Sequence, residues 1–247
     1  MPRYFLELSY KGTHYSGFQS QLNTGKTIQA ELERAIHVFQ KEKLELTGSS
    51  RTDAGVHALQ NYFHFDYGGV LNSQFIYKVN AILPPDIVVK GLRQVADDAH
   101  CRFDARGREY QYFIYRQKNP FLADRAYYFP YRLDLGLMRE AAGVMKEYTD
   151  FTSFSKRNTQ VKTFQCEIRE SEWREEGECL VYRVRANRFL RGMVRALTAT
   201  MLKVGRGKIS IEELRGIIEA KDCTRASFAV PAHGLFLVGV EYGEMGV

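Results

Sequence analysis

Three stretches of the chain hold side chains whose types and spacing could act on a substrate. The first is Ser50-Arg51-Thr52-Asp53-Ala54-Gly55-Val56-His57. A carboxylate at Asp53 can serve as a nucleophile or a general base, and Ala54-Gly55 lets the backbone turn beside it and leaves room there. An aspartate in such a loop can equally hydrogen-bond its own turn. The second stretch is Glu109-Tyr110-Gln111-Tyr112, where a phenol could stack on a ring or move a proton. Its alternation also suits a core strand, and Tyr112 fits that reading better than Tyr110. In the third, Arg188, Arg191 and Arg195 recur at +3 and +4 steps and would share a helical face, which on its own reads as a solvated basic surface. Arg51 adds a guanidinium fork beside Asp53.

Metal chemistry finds little support in the spacing. None of the 6 histidines falls in an H-x-x-x-H or H-E-x-x-H pattern, and His64-Phe65-Asp66 offers only two ligands on one strand face. The 4 cysteines lie far apart without a C-x-x-C pair, which argues against a zinc ribbon and a disulfide scaffold. We expect no metal, reduced thiols and a cytoplasmic location. His57 reads as a brace for the Asp53 loop.

The elements that must position these residues follow from periodicity. Residues 3–10 alternate as a strand, and Ile28, Leu32, Ala35, Ile36 and Phe39 recur as a helix starting near Thr27. A strand over 62–67, a helix capped by Ser73 and ended by Pro84-Pro85, and a strand over 87–95 complete the first half. The second half opens with a strand over 109–116 and a helix capped by Asp134. A hairpin over 165–174 and 179–187 comes next, then a long helix over 189–204 closed by Gly205. Ser210-Ile211-Glu212-Glu213 is a capping box, and 235–242 a final strand. This order implies two α+β domains with mostly antiparallel sheets, divided as 1–105 and 106–247, with a cleft between them as the natural site.

Composition is compatible with an intracellular protein that faces nucleic acid. The chain has 247 residues, 45% hydrophobic and 13% aromatic, enough for a sizeable core. Lys and Arg number 35 against 29 Asp and Glu, a net charge of +6 that suits a phosphate-bearing partner. The N-terminal residues meet a charge too early for a signal-peptide core, and no apolar run is long enough to cross a bilayer.

The Asp53 string resembles the G-R-T-D-A-G-V-H signature of the tRNA pseudouridine synthase A family. The likeness extends to Tyr10–Gln19, to His100–Ala105 with Arg108–Tyr112, to Asp150–Phe154, to Phe189–Arg195 and to Pro231–Leu235, in family order along nearly the whole chain. The resemblance implies an isomerase that breaks the C1′–N1 bond of a uridine, turns the base and rejoins it through C5, with no cofactor. It assigns the opening role to Asp53 and makes Arg195 its ion-pair partner, which keeps the carboxylate ionised. Tyr110 becomes the active-site tyrosine that stacks on the flipped base, and Arg51 helps flip that base and hold the RNA backbone. The family further implies ferredoxin-like or RNA-recognition-like domains and a homodimer. Its RNA is tRNA, modified at positions 38–40 of the anticodon stem-loop, and no DNA partner is expected. Arg102, Arg106, Arg108, Lys156, Arg157, Lys162, Arg183 and Arg185 are candidates for an RNA track. The chain departs from the family pattern with Phe18 for tryptophan, Ser50 for glycine, Ala99 for phenylalanine and Gly192 for histidine. A glycine inside the long helix would cost up to about 1 kcal/mol relative to alanine.

Overall fold

A computed structural model describes residues 1–21, 24–157 and 161–243. In chain order the first segment runs β1 (Arg3–Tyr10), α1 (Ile28–Gln40), β2 (Thr47–Gly48), β3 (His57–Asp66), α2 (Phe75–Ile82) and β4 (Ile87–Val95). The second runs β5 (Ala105–Tyr115), β6 (Tyr127–Tyr128), α3 (Leu135–Val144), β7 (Ile168–Glu176), β8 (Cys179–Ala186), α4 (Met193–Gly205) and α5 (Ile211–Glu219), before β9 (Leu235–Tyr242). Two compact units result, one of Met1–Arg106 with Phe236–Val247 and the other of Gly107–Leu235. The last strand thus clusters with the first unit, whereas a division at residue 105 leaves it in the second.

In the first unit β1 pairs antiparallel with both β3 and β4, and β2 with β3. The final strand adds parallel to β3, with His57 opposite Phe236. Alternation along β1 buries Leu6, Leu8 and Tyr10. Thr27 caps α1 as its sequence position implies, its hydroxyl accepting the Ala30 N–H. The expected Ser73 cap is not used. Gln74 precedes α2, and the Asn72 side chain accepts the Gln74 N–H at 2.8 Å instead.

In the second unit β8 lies antiparallel between β5 and β7, and β6 runs parallel to β5. The whole is therefore α+β with mostly antiparallel pairing. Asp134 caps α3 and Ser210 closes both halves of its capping box with Glu213. The long helix differs from its expected span at both ends. It begins at Met193, after Gly192 takes φ +74, a left-handed conformation in which glycine carries no Cβ penalty. Gly192 is therefore outside the helix and no propensity cost applies. At the other end Gly207, not Gly205, follows the C-cap: Gly207 N–H bonds to Val204 O at 2.8 Å and Lys208 N–H to Lys203 O at 2.9 Å, the paired bonds of a Schellman motif. No described helix is long and apolar enough to cross a membrane.

Gly205 serves packing instead. A Cβ there would lie 2.5 Å from Met138 Cγ and 2.7 Å from its Sδ, with Met138 fully buried on α3. Alanine would gain about 1 kcal/mol of helix propensity, but overpacking a closed core costs about 1–3 kcal/mol. Gly205→Ala is expected to lower stability by about 1 kcal/mol in chemical denaturation. A stabilised variant would show that α3 and α4 have slack between them.

Candidate active site

The loop carrying Asp53 leaves β2 and enters β3, and its side chains alternate. Ser50 and Thr52 are buried, Arg51 is exposed and Asp53 is half-buried. The inward residues are held by a polar cluster. Asn61, fully buried on β3, donates from Nδ2 to Ser50 O at 2.8 Å and to Tyr10 Oη at 3.1 Å. Tyr10 Oη lies 2.8 Å from Thr52 Oγ1, and Phe18 N–H donates to Thr52 O at 3.2 Å. Asn61 Oδ1 in turn accepts the Tyr62 N–H at 2.8 Å. Fixing Ser50 and Thr52, the two neighbours of Arg51, leaves Arg51 exposed and Asp53 half-buried.

The turn itself closes through a bond from Val56 N–H to Asp53 O at 3.2 Å, with Gly55 at φ +79. His57 anchors its far end. Its ring is 1% exposed, packs 4.5 Å from Phe236, and accepts the Gly12 N–H on Nδ1 at 3.0 Å. This is the bracing role read from sequence. Gly12 can approach so closely only because it lacks a side chain: a Cβ would sit 2.0 Å from Val56 O. Within the same unit Arg51 lines a cavity of about 300 Å³ with Phe18, Gln29, Thr47, Arg102 and Phe103. Arg102 sits 5.7 Å from the centre of the exposed Phe103 ring.

The other two candidates belong to the second unit. Tyr110 and Tyr112 are two residues apart on β5 and share a face. Tyr112 is fully buried and donates its hydroxyl to Pro231 O at 2.7 Å, the core role its position implied. Burial pushes its phenol well above the ordinary range, against a smaller opposing pull from the Arg195 charge. Tyr110 is half-buried and meets Phe189 edge-on at 5.1 Å between ring centres. Arg195, in the first turns of α4, donates Nε and Nη2 to Val230 O at 3.0 and 2.7 Å. Consecutive carbonyls of the segment before β9 therefore orient both Arg195 and Tyr112.

Arg188 and Arg191 do not join Arg195 on a helical face, since both precede α4. The Arg191 carbonyl accepts the Lys156 N–H at 3.0 Å. Two members of the expected RNA track are committed to carboxylates: Arg183 bridges Glu109 and Glu170, and Arg185 reaches Glu170 at 3.1 Å. The Asp150–Phe154 block is structural, with Asp150 accepting from Thr152 and Phe151 and Phe154 in the core. Asn61 and Tyr10 were missed by sequence reasoning as loop supports. Nothing in a strand pattern marks a buried asparagine as a donor to a loop 11 positions away. A larger cavity of about 540 Å³ beside Leu137, Glu140 and Lys208 touches none of the candidate residues.

Two outcomes are expected. Asn61→Ala leaves the buried Ser50 carbonyl without its donor, a loss of about 1–3 kcal/mol in stability. Turnover of the folded fraction should fall further than unfolding explains, because the loop loses its aim; unchanged specific activity would remove Asn61 from the positioning role. Ser50 Oγ, where the family carries glycine, is buried with no hydrogen-bond partner among the described residues. Ser50→Ala is expected to raise stability by up to about 1 kcal/mol, read as a higher melting temperature.

Comparison with known proteins places these residues in context. Residues 8–104 and 148–243 match the family model described as tRNA pseudouridine synthase. The chain is 47% identical to tRNA pseudouridine synthase A of Bacteroides thetaiotaomicron, over 99% of this chain and 92% of the relative. Identity is 44% with the protein of that name in Parabacteroides distasonis (99% of this chain, 97% of the relative) and 40% with that of Bacillus subtilis (95% and 97%).

Proposed function

The chain belongs to the tRNA pseudouridine synthase family, and from that membership we infer that it isomerises uridine to pseudouridine in tRNA, with Asp53 opening the reaction. The observation that carries the assignment of Asp53 is its setting: a half-buried carboxylate on a loop whose flanking residues are fixed by Asn61, Tyr10 and His57. Such fixation pre-organises a group for attack on, or proton removal from, the ribosyl C1′ region without reorganisation at the moment of reaction.

Arg195 is the proposed ion-pair partner of Asp53. Two of its N–H groups are spent on one carbonyl, which aims the remaining Nη1 face in a fixed direction, and a guanidinium beside a carboxylate keeps it ionised. The family resemblance implies that pairing, along with domains of ferredoxin-like or RNA-recognition-like character. Tyr110, half-buried beside Phe189, is the proposed ring for stacking on the extruded uracil, with its hydroxyl as a hydrogen-bonding group for the base. Arg51, with Arg102 and Phe103 around the same cavity, takes RNA phosphate and an unstacked base. No cofactor is needed, since nothing is oxidised and no group leaves the RNA. The proposed substrate is uridine at positions 38–40 of the anticodon stem-loop, acted on by a cytoplasmic homodimer.

The rival reading is an RNA-binding protein without turnover. Asp53→Ala separates the two. Binding of tRNA should persist within a few-fold, while pseudouridine formation falls by about 10²–10⁴-fold if Asp53 is a base, and by more if it is the nucleophile. Mapping pseudouridine in cellular tRNA with the gene intact and disrupted tests the positions. Loss at 38–40 is the expected result. Unaltered turnover in Asp53→Ala would sink the assignment, and loss at other uridines would redirect the substrate.

A further inference from the structure

The fold gathers three metal-ligating side chains that the uridine chemistry does not use. His64 lies on β3, and His100 and Cys101 lie in the turn that leads into β5. Their ligand atoms fall within 4.8 Å of one another, although 36 and 37 positions separate His64 from the other two (100 − 64 and 101 − 64). Spacing along the chain, which gave no metal motif, could not reveal a set assembled by tertiary contact. We propose that His64, His100 and Cys101 form a binding site for a thiophilic divalent cation, zinc being the ion that this two-imidazole, one-thiolate set suits best.

The geometry needs modest adjustment. His64 Nδ1 lies 3.2 Å from Cys101 Sγ. Zinc–nitrogen and zinc–sulfur bonds of about 2.0–2.1 and 2.3 Å at a tetrahedral angle place N and S about 3.6 Å apart, so this pair opens by a few tenths of an ångström. The wider separations must contract by up to about 1.5 Å, again from tetrahedral bond lengths. His100 is half-exposed and would supply that movement, at the expense of the Arg102 N–H bond that its Nδ1 accepts at 3.1 Å. Its ring already stands 4.6 Å from that of His64.

The electrostatics also suit a cation. Burial holds the His64 imidazole neutral down to about pH 4, and His100 is lowered in the same direction, chiefly by burial, so neither ring has a proton to give up at neutral pH. Cys101, fully buried, now donates S–H to Thr47 O at 3.2 Å. On binding, that proton leaves to solvent and the sulfur–metal bond replaces the S–H bond. Arg3, the nearby cation, is engaged by both Asp66 oxygens at 2.7 and 2.8 Å, which also removes Asp66 as a ligand. Asp104, accepting the His100 N–H at 2.7 Å, adds negative charge beside the site. Thr47, whose carbonyl accepts the Cys101 S–H, and His100 both line the cavity of about 300 Å³, which is the side an ion would enter from. A bound ion would tie β3 to the 100–104 turn and stiffen the wall on which Arg102 and Phe103 stand.

The test uses the full-length, reduced protein freed of metal by a chelator and titrated with Co²⁺. A single equivalent is expected to bind with thiolate-to-cobalt charge-transfer absorption and the d–d bands of a four-coordinate ion, both erased by Zn²⁺. Cys101→Ser should abolish the charge-transfer absorption and weaken Co²⁺ binding by at least about 10–100-fold, the loss that even an outer-shell change causes. His100→Ala, at a half-exposed position, should weaken binding by a similar factor with an unaltered circular dichroism spectrum. Cys179→Ser and Cys223→Ser should leave the titration as it is. The site is overturned by a native protein without charge-transfer absorption, by a His100→Ala variant that binds Co²⁺ as tightly as the native chain, or by an absorption that follows Cys179 or Cys223.

Discussion

The buried amide of Asn61 is the contact on which the Asp53 loop depends. Such a loop cannot use regular ladder bonds to hold its shape, so its inward polar groups need partners from elsewhere. Asn61 supplies two donors and an acceptor from a single fully buried side chain, reaching Ser50 O, Tyr10 Oη and the Tyr62 N–H. Low dielectric strengthens each of these bonds and makes each expensive to break. The far end of the loop is fixed differently, by a steric condition. Gly12 lies so close to Val56 O that no other residue fits, and its N–H is thereby delivered to His57. The two devices act on opposite sides of Asp53, so the carboxylate has little freedom except at its own side-chain torsions.

The second unit solves the same problem with backbone carbonyls. Val230 O takes two bonds from Arg195 and Pro231 O takes the Tyr112 hydroxyl, so the segment before β9 acts as a template for two side chains from different elements. A carbonyl is an acceptor that needs no side-chain entropy to hold in place, and two parallel donations to it fix the guanidinium plane as well as its position. Of these two carbonyls only that of Pro231 lies in the Pro231–Leu235 block, and it holds the core tyrosine; the Arg195 acceptor stands one residue before it. Gly234 packs against the Tyr112 ring, where a Cβ would come within 2.7 Å, so segment and ring fit only in this form.

What was legible in the sequence divides along these lines. Periodic elements with strong local signals stand where pattern places them: β1, α1 with Thr27, α3 with Asp134, the β7–β8 hairpin and the Ser210 capping box. The errors arose where one residue type can serve two local purposes. Gly192 and Gly205 read as an interior glycine and a helix end, while the backbone uses Gly192 to enter the helix, Gly207 to leave it and Gly205 for contact with Met138. The supposed three-arginine face failed with the helix start, because a left-handed residue at 192 separates Arg188 and Arg191 from the helical repeat. Contacts of high sequence separation, such as Asn61 to Tyr10 or His64 to Cys101, leave no periodic trace at all.

Charge illustrates the same gap between composition and arrangement. An excess of 35 basic over 29 acidic residues marks a chain suited to phosphates, yet it does not say which cations are available. Arg3 is engaged by Asp66, Arg183 by Glu109 and Glu170, Arg185 by Glu170 and Arg215 by Glu147, so four arginines are already neutralised inside the protein. Such pairs add little net charge toward a distant phosphate, because screening leaves only the unbalanced part of the field. The Arg183 and Arg185 pairs lie across β5, β8 and β7, with Glu109 opposite Arg185 across one strand pair and Glu172 opposite Arg183 across the other. Arg51 and Arg102 are exposed and line one cavity, so position in the fold rather than the total charge distinguishes them from the arginines of the strand pairs. Contacts to a phosphate backbone depend on where cations stand rather than on how many there are, which is why net charge alone could not locate them.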